Sequence, residues 1–426
     1  MKIISTYLVH LYVVSILKKK TAEKANFKIK NLGDCIRLSN LILEINDEFI
    51  SYNTLRRFYG IVKSPKKTST KTLDILSRFN DYSDYGHFLK SFKFENKWKQ
   101  QNDLYEVMSN ENDEGILQLA QKSLKHKENH IGITIQILRE LIITKKYNLL
   151  IQVFELEELN FNKLSYDEIT HIGNGVGLLL RNFKLDISVL KELIKIKNYQ
   201  DLVLTMFVDY SHLNGYYLNQ INLLNIQDCK PHMIAFKKCL FNLHLYLNNK
   251  KVIPINIQQE DTFHPILKSR IVAQHLFSHK KNKMRHFEDY VQHESAAHLP
   301  IEYFYEIILT CLVTKDIEVM RWTISQVEKN NSEKHIFHIR HLQHYYVMKS
   351  LYYAAIGDKK LYRKAKSLFS LEAASTSYKE FLRVFVLIGQ YHFSQGYDRK
   401  FYKTQYIKLA KKLGYSLFDE NYLQLV

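Results

Sequence analysis

Residues 130–158 read HIGITIQILRELIITKKYNLLIQVFELEE, and they lie within a stretch of 165 residues, 66–230, that contains no proline. Proline is excluded from helix interiors because it lacks the backbone donor and because its ring clashes with the preceding turn. The whole chain of 426 residues holds only 13 Gly and 5 Pro, which disfavours β-sandwiches and propellers, since these need frequent turn residues. The sequence therefore predicts an all-α protein with a large core.

Beyond residue 95 the pattern is one of longer helices joined by short polar breaks. An α-solenoid is built in this way, because each helix pair buries its apolar face on the next pair. A compact multi-helix domain is the alternative. The predicted helices span residues 97–109, 114–126, 130–145, 147–158, 166–182, 187–197, 199–213, 231–248, 263–280, 283–297, 301–313, 315–329, 334–356, 359–370, 378–395 and 400–413.

Positive charge is concentrated in the first quarter of the chain. The chain has 61 Lys+Arg and 43 Asp+Glu, a formal net charge of +18, and residues 1–100 contribute +10 of it. Residues 50–73 contain six Lys or Arg and no acid. A positive field of this kind attracts polyanions such as DNA, RNA or an anionic membrane surface. A lysine-rich composition without a polyanionic partner is the alternative.

Neither the cysteines nor the N-terminal segment indicates secretion or a membrane span. The four cysteines, at 35, 229, 239 and 311, form no CxxC pair, which fits free thiols in a reducing cytoplasm. The apolar segment 3–17 is shorter than the roughly 20 residues that a span needs, and no small-residue cleavage site follows it. We therefore expect a packed amphipathic helix there rather than a membrane anchor, in a cytoplasmic protein that has no cofactor and no metal.

Closely spaced helix-cap and turn residues after residue 31 predict four short helices within about 60 residues. Asp34 is a candidate N-cap for a helix that reaches residue 46, and Ser51 is one for a helix that reaches Gly60, a residue suited to the left-handed position that ends helices. One of residues 68–70 caps a third helix, and Ser83 begins a fourth. These helices would form a compact module.

The stretch 34–89 resembles the phage-repressor-like family of helix-turn-helix domains, in which a helix like TLDILSRF at 72–79 follows a basic turn. The resemblance implies that the helix beginning at Ser51 lies in the major groove of DNA, with Leu55 and Phe58 buried beneath it. The DNA-binding residues are then Ser51, Tyr52, Asn53, Arg56, Arg57, Lys63, Lys66, Lys67 and Lys71.

Each residue type in this set has a physical role on DNA. Arg56 suits the bidentate contact to guanine, Asn53 suits the bidentate contact to adenine, and Lys66 and Lys67 neutralise phosphates. A helical bundle whose solvated basic face docks a protein or RNA is the alternative.

The segment 351–369, LYYAAIGDKKLYRKAKSLF, and a second approximate copy at 389–410 resemble tetratricopeptide helix pairs. In such pairs Gly and Ala lie where two helices approach closely, while Tyr and Phe fill the gaps between turns. The resemblance covers residues 334–420.

Two further motifs favour packing over chemistry. The histidines at 335, 338, 341 and 344 recur every third residue, so their side chains drift around a helix and a solvated or stacking face is favoured over a metal site. The glycines at 173, 175 and 177 follow a predicted helix rather than a strand, which favours close helix packing over a nucleotide cradle.

Arg270 and His275 have the Arg-x4-His spacing of the helical HEPN ribonucleases, a spacing that is also expected by chance in a chain of this composition. They lie in a second acid-free stretch, 262–287. The basic residues of this secondary patch are Lys268, Arg270, Lys280, Lys281, Lys283 and Arg285.

The sequence thus predicts a DNA-binding regulatory protein without catalytic residues. Its predicted parts are an N-terminal packing helix and basic segment (1–30), a helix-turn-helix-like module (31–95), a helical-repeat solenoid (96–330) and tetratricopeptide-like repeats (331–426). The body would bind a protein or peptide partner or mediate homodimer formation. A non-catalytic interaction scaffold, of the kind found in defence or mobile elements, is one alternative, and a HEPN-like ribonuclease is another.

Overall fold

The computed structural model describes residues 2–63, 68–110, 112–125, 130–183, 185–255, 257, 263–278, 284, 287, 291, 301–330 and 336–425. Every regular element in these residues is helical, which confirms the all-α prediction. The chain forms two compact units, Met1–Ile116 and Leu117–Val426.

The first unit contains α1 (Lys2–Ala25), α2 (Leu32–Asn46), α3 (Tyr52–Phe58), α4 (Thr70–Phe79) and α5 (Tyr85–Ser109). Ser51 caps α3 as predicted, and Ser69, one of the three candidates at 68–70, caps α4; each side chain accepts a hydrogen bond from the N–H three residues on. The prediction for Asp34 was wrong, since Asn31 caps α2 and Asp34 is the third residue of its capping box.

The predicted bounds of α5 were also wrong. Asp84 rather than Ser83 caps this helix, and its 25 residues include 97–109, which the sequence pattern gave as a separate helix. No glycine or proline lies between Phe88 and Ser109 to interrupt it.

The second half of α1 shares one apolar core with the helices that follow it. This confirms the packing predicted for α1 over the residues whose side chains are described. No helix in the described part of the chain is long and apolar enough to cross a membrane. The buried core includes Val13, Val14 and Leu17 of α1, Leu38 and Ile42 of α2, Leu55 and Phe58 of α3, Leu76 and Phe79 of α4, and Phe88 of α5.

The second unit is a succession of packed helices that begins within α6 (Asp113–Lys125). The remaining helices are α7 (His130–Ile143), α8 (Tyr147–Glu155), α9 (Tyr166–Asn182), α10 (Ile187–Leu193), α11 (Lys197–Tyr199), α12 (Tyr216–Leu223), α13 (Pro231–Leu247), α14 (Pro265–Ser278), α15 (Tyr305–Thr314), α16 (Ile317–Asn330), α17 (Ile336–Ala355), α18 (Lys359–Ser367), α19 (Lys379–Phe393) and α20 (Gly396–Leu413).

The predicted helix 199–213 was wrong. The short helix α11 continues into a π-helical turn, Gln200–Leu204, and the chain then opens into an irregular segment with a single 3-10 turn, Tyr210–His212. The helix α12 was not predicted at all. The predicted helix 283–297 lies outside the described residues except for 284, 287 and 291.

Glycines allow α9 to pack closely on the segment that follows α11. A Cβ added to Gly173 would lie 2.4 Å from the carbonyl oxygen of Leu202, and one added to Gly177 would lie 2.2 Å from Cγ of Phe207. Real Cβ atoms do not approach their neighbours so closely, so only glycine fits. The close helix packing predicted for these glycines is confirmed.

The C-terminal helices pack as neighbouring pairs, α17 on α18 and α19 on α20. Gly357 ends the first helix of the first pair with a left-handed φ of 78°. A Cβ added to Gly389 of α19 would lie 3.0 Å from the ring of Tyr362 of α18. Small residues and tyrosines therefore meet between the pairs.

We predict that Gly177→Ala lowers the free energy of unfolding of the second unit by about 1–3 kcal/mol, because the new methyl group overlaps the Phe207 ring. Gly175→Ala is the matched control. Its added Cβ would lie 3.0 Å from Cδ1 of Ile135, the far end of a flexible side chain, and alanine gains up to about 1 kcal/mol in helix propensity. Urea unfolding curves followed by circular dichroism measure both, and equal stability of the two variants would contradict the prediction.

Candidate nucleic-acid interface

The turn between α2 and α3 is closed by local hydrogen bonds. Asp47 ends α2 in the left-handed region, with φ 54°. The hydroxyl of buried Ser39 donates to the carbonyl of Ile50 at 2.6 Å, and Ser51 Oγ accepts from the N–H of Thr54 at 3.2 Å. The direction in which α3 leaves the turn is therefore fixed by residues of α2 and of the turn itself.

The helix α3 packs on α2 and presents its polar residues outward. Leu55 and Phe58 are buried, as the sequence predicted, whereas Tyr52, Asn53 and Arg57 are exposed. Gly60 follows with φ 74°, the left-handed conformation expected at this position. The N–H of Ile61 then donates to the carbonyl of Arg56 at 2.9 Å and closes the end of the helix.

Asn53 accepts a hydrogen bond from each of the two arginines of α3. Its Oδ1 accepts from Nη1 of Arg56 at 3.1 Å, and its backbone carbonyl accepts from Nε of Arg57 at 3.1 Å. Arg57 is exposed, but Arg56 is half-buried, and its buried Nε has no hydrogen-bond partner among the residues described. The bond between Asn53 and Arg56 uses one hydrogen of Nη1 and leaves Nη2 of Arg56 and Nδ2 of Asn53 out of it.

The remaining predicted cations lie after α3. Lys63 and Lys71 are exposed, and Lys66 and Lys67 lie outside the described residues. In the part of the chain that the structure describes, no ion pair with a carboxylate involves Arg56, Arg57, Lys63 or Lys71. Lys71 lies close enough to Glu48 to lower the pKa of that carboxyl, while Arg57 and Lys63 are exposed and can attract an external anion.

Sequence reasoning missed an ion pair that ties α4 to this turn. Arg78 donates to Glu48 through Nε and Nη2, both at 2.7 Å. The hydrogen bond from Arg78 holds the pKa of Glu48 below its usual value. Because the partners are 30 residues apart, no local spacing indicates this pair. Its consequence is that Glu48, an acid of the turn just before α3, is paired with Arg78 rather than with α3.

A second missed feature is an exposed aromatic side chain in the turn. Phe49, which immediately precedes Ile50, is 67% exposed. Together with Tyr52 it adds apolar surface beside the polar residues at the start of α3. Phe49 and Ile50 are adjacent apolar residues in a short turn, so the sequence did not indicate which of the two side chains is buried.

Of the two residues of the secondary basic patch that the structure describes, one is buried. Arg270 is only 6% exposed, and its Nη2 donates to Glu306 at 2.7 Å and to the hydroxyl of Tyr210 at 3.1 Å. Lys268 and His275 are half-buried, and the other four residues of the patch lie outside the described residues. The placement of Arg270 in a surface patch is therefore corrected, because its charge is already balanced inside the protein.

The histidine pattern does not gather a metal site in the described residues. His344 is buried, with its ring edge-on to Tyr305 and Tyr378, which is the stacking arrangement that the sequence favoured for these histidines. His335 and the side chains of His338 and His341 lie outside the described part. In that part, no group of three or more His, Cys, Asp or Glu side chains could hold a metal ion.

Comparison with known proteins returned no relatives: no protein-family model, no curated protein and no solved structure matches the chain significantly.

We predict that Glu48→Gln destabilises α4 and the turn by about 0.5–1 kcal/mol at pH 7, a value reduced by the partial exposure of the pair. Because the pKa of Glu48 is lowered in the folded state, its contribution is present above the unfolded value and is lost as the pH falls through the folded value. The difference between wild type and variant should therefore shrink as the pH falls below the ordinary glutamate value of about 4.3 and vanish once Glu48 is protonated in the folded protein.

Hydrogen exchange of peptides from 70–79, corrected for intrinsic rates at each pH, measures this difference. Glu44→Gln, an exposed acid of α2, is the control and should have no effect. A difference between wild type and Glu48→Gln that persists unchanged at low pH would contradict the assignment.

Proposed function

We propose that this protein is a DNA-binding regulatory protein whose first unit contacts the duplex through α3 and the basic residues that follow it. The observation that carries the proposal is a set of four cations, Arg56, Arg57, Lys63 and Lys71, that form no ion pair in the described part of the chain. Three of them are exposed. Cations in the last turn of α3 and after it, beside the exposed polar residues of this helix, suit the backbone and the major groove of DNA.

The two-helix arrangement of α2 and α3 supports a helix-turn-helix reading. A buried face of Leu55 and Phe58 on α3 leaves Tyr52, Asn53 and Arg57 outward, the geometry in which the leading side chains of a recognition helix reach base edges. In this proposal Arg56 reads guanine, and Phe49 or Tyr52 contacts a thymine methyl group. Arg57, Lys63 and Lys71 neutralise phosphates.

The helical body would then carry the regulatory partner. We propose that α17–α20 form tetratricopeptide-like pairs and that the body binds a protein or peptide or joins two copies of the chain. A groove of about 480 Å³ between α16 and α17, lined by Arg321, Glu328, Tyr352 and Tyr353, offers charge and aromatic surface to such a partner. A partner that changed the spacing of two N-terminal units would change which half-sites they match.

The test is selection from a random duplex DNA library followed by fluorescence anisotropy over a salt series. For the wild-type protein, the logarithm of the DNA-binding constant should fall linearly with the logarithm of the salt concentration. Lys63→Ala or Lys71→Ala should lower the slope by about one and weaken all sequences equally. Arg56→Ala should cost about 1–3 kcal/mol and relax the preference at one base pair.

Lys400→Ala, an exposed lysine of α20, is the matched control and should change neither slope nor preference. Binding that is undetectable or independent of salt would overturn the DNA proposal and favour an interaction scaffold. Preferential binding of single-stranded RNA would favour the RNA-docking alternative. The ribonuclease alternative is disfavoured, because the guanidinium of Arg270 is buried against Glu306 and an RNA backbone would not reach it.

A further inference from the structure

The helix α18 carries a dense cluster of cations. Residues 359–371 contain five Lys or Arg and no acid. Tyr362 and Ala365 form the buried side of the helix. Its exposed side, which we call the basic face of α18, consists of Lys359, Lys360, Arg363 and Lys364. None of these four cations forms an ion pair within the described part of the chain, so the face carries uncompensated positive charge.

This basic face adjoins the groove of about 480 Å³ between α16 and α17. Tyr353 lines the groove, and its carbonyl accepts a hydrogen bond at 2.9 Å from the N–H of Asp358, the residue before α18. Gly357, with φ 78°, turns the chain between the two helices. The basic face therefore begins only three residues after Ile356, which also lines the groove.

The groove combines an apolar lining with further positive charge. Its volume falls within the roughly 300–1,000 Å³ that is typical of ligand clefts. Arg321 and Lys329 line it and form no ion pair among the residues that the structure describes. Glu328, the acid in the lining, is bound by Lys349, which balances its charge. The apolar and aromatic lining residues are Ile324, Tyr352, Tyr353 and Ile356.

Apolar side chains flank the basic face at both ends, since Ile356 is 50% exposed and Leu368 is 52% exposed. A phosphate backbone would pair with the cations but would leave this apolar surface in water. Bases stack on exposed aromatic faces, whereas Tyr352 and Tyr353 are half-buried. A peptide with both carboxylates and apolar side chains covers both kinds of surface, because it pairs with the cations and buries apolar area.

We propose that the groove and the basic face of α18 bind an acidic peptide segment of a partner protein, one that contains at least one large apolar side chain. The apolar side chain lies in the groove against Ile356 and the two tyrosines. Neighbouring carboxylates pair with Arg321 and Lys329 and, beyond the groove, with the basic face. This inference rests on the part of the proposed function in which the second unit binds a peptide, and it does not depend on DNA binding by the first unit.

The test is fluorescence anisotropy on the full chain with a short labelled peptide that is rich in glutamate and has two leucines one helical turn apart. This peptide should bind at low salt with a dissociation constant of about 100 µM or tighter. A peptide with glutamine in place of glutamate, and one with alanine in place of leucine, should each bind at least tenfold more weakly. Equal binding by either of them, or no binding by the parent peptide, would overturn the proposal.

A pair of charge reversals tests the basic face. Lys359→Glu/Lys360→Glu should weaken peptide binding at least tenfold. Lys408→Glu/Lys411→Glu, at exposed positions of α20, is the matched control, because it changes the net charge equally, and it should bind as wild type does. Wild-type affinity in the first variant, or equal losses in both, would place the peptide elsewhere and overturn the proposal.

A second pair of variants tests the groove without changing any charge. Ser325→Trp places a large side chain at an exposed position of the groove wall and should weaken peptide binding at least tenfold. Ser188→Trp, at an exposed position of α10, is its control and should have no effect. Thermal melts establish that all variants are folded, and wild-type affinity in Ser325→Trp would contradict a peptide in the groove.

Competition separates a peptide site from a nucleic-acid site. Excess single-stranded RNA should not displace the labelled peptide, and displacement would assign this surface to nucleic acid and overturn the proposal. DNA binding is measured separately by selection from the duplex library. Its failure with peptide binding intact would therefore refute the DNA proposal alone, and failure of peptide binding would refute this inference whatever DNA does.

Discussion

The buried ion pair between Arg270 and Glu306 organises the interior of the second unit. Removing one partner of such a pair leaves an uncompensated buried charge and typically costs about 3–5 kcal/mol. The pair joins α14 to α15 and, through the hydroxyl of Tyr210, holds the irregular segment 208–213. A second buried pair acts on the same segment, because Arg181 donates to both oxygens of Asp209 at 2.7 and 2.8 Å and to the carbonyl of Thr376. The segment that interrupts the helices is therefore the point at which distant helices are joined.

The first unit is held together in a different way. Its helix starts are fixed by side chains within three residues of each terminus, and its core is apolar. Around α3, Arg57, Lys63 and Lys71 lie at the surface, whereas Arg78 is paired with Glu48 of the turn. This division separates a unit with exposed cations around α3 from a unit whose ion pair of Arg270 and Glu306 is buried.

The same division explains what the sequence could predict. Features that depend on neighbouring residues could be predicted: the bounds of α9 agree with the prediction, Ser51 and Ser69 are caps, and the buried face of α3 is as expected. Contacts between residues far apart in the sequence could not be predicted. Arg270 was assigned to a surface patch because its neighbours in sequence are basic, while its partner Glu306 is 36 residues away. The helix predicted at 199–213 failed because Asp209 and Tyr210 leave helical geometry to reach buried partners. The bond between Asn53 and Arg56 has ordinary helical spacing and could have been anticipated.

The hydrogen bonds of Tyr415 affect the order in which parts of this protein fold during synthesis. The hydroxyl of Tyr415 donates to the carbonyl of Tyr210 and accepts from the N–H of Leu213, across more than 200 residues of chain. The hydroxyl of Ser211 donates to the carbonyl of Ser377, which is 166 residues further along the chain. At about 5–20 residues per second, a ribosome needs roughly 10–40 s to travel that distance. The interrupted segment therefore leaves the exit tunnel long before its partners exist, with its polar groups still hydrated, and its burial belongs to the last stage of folding.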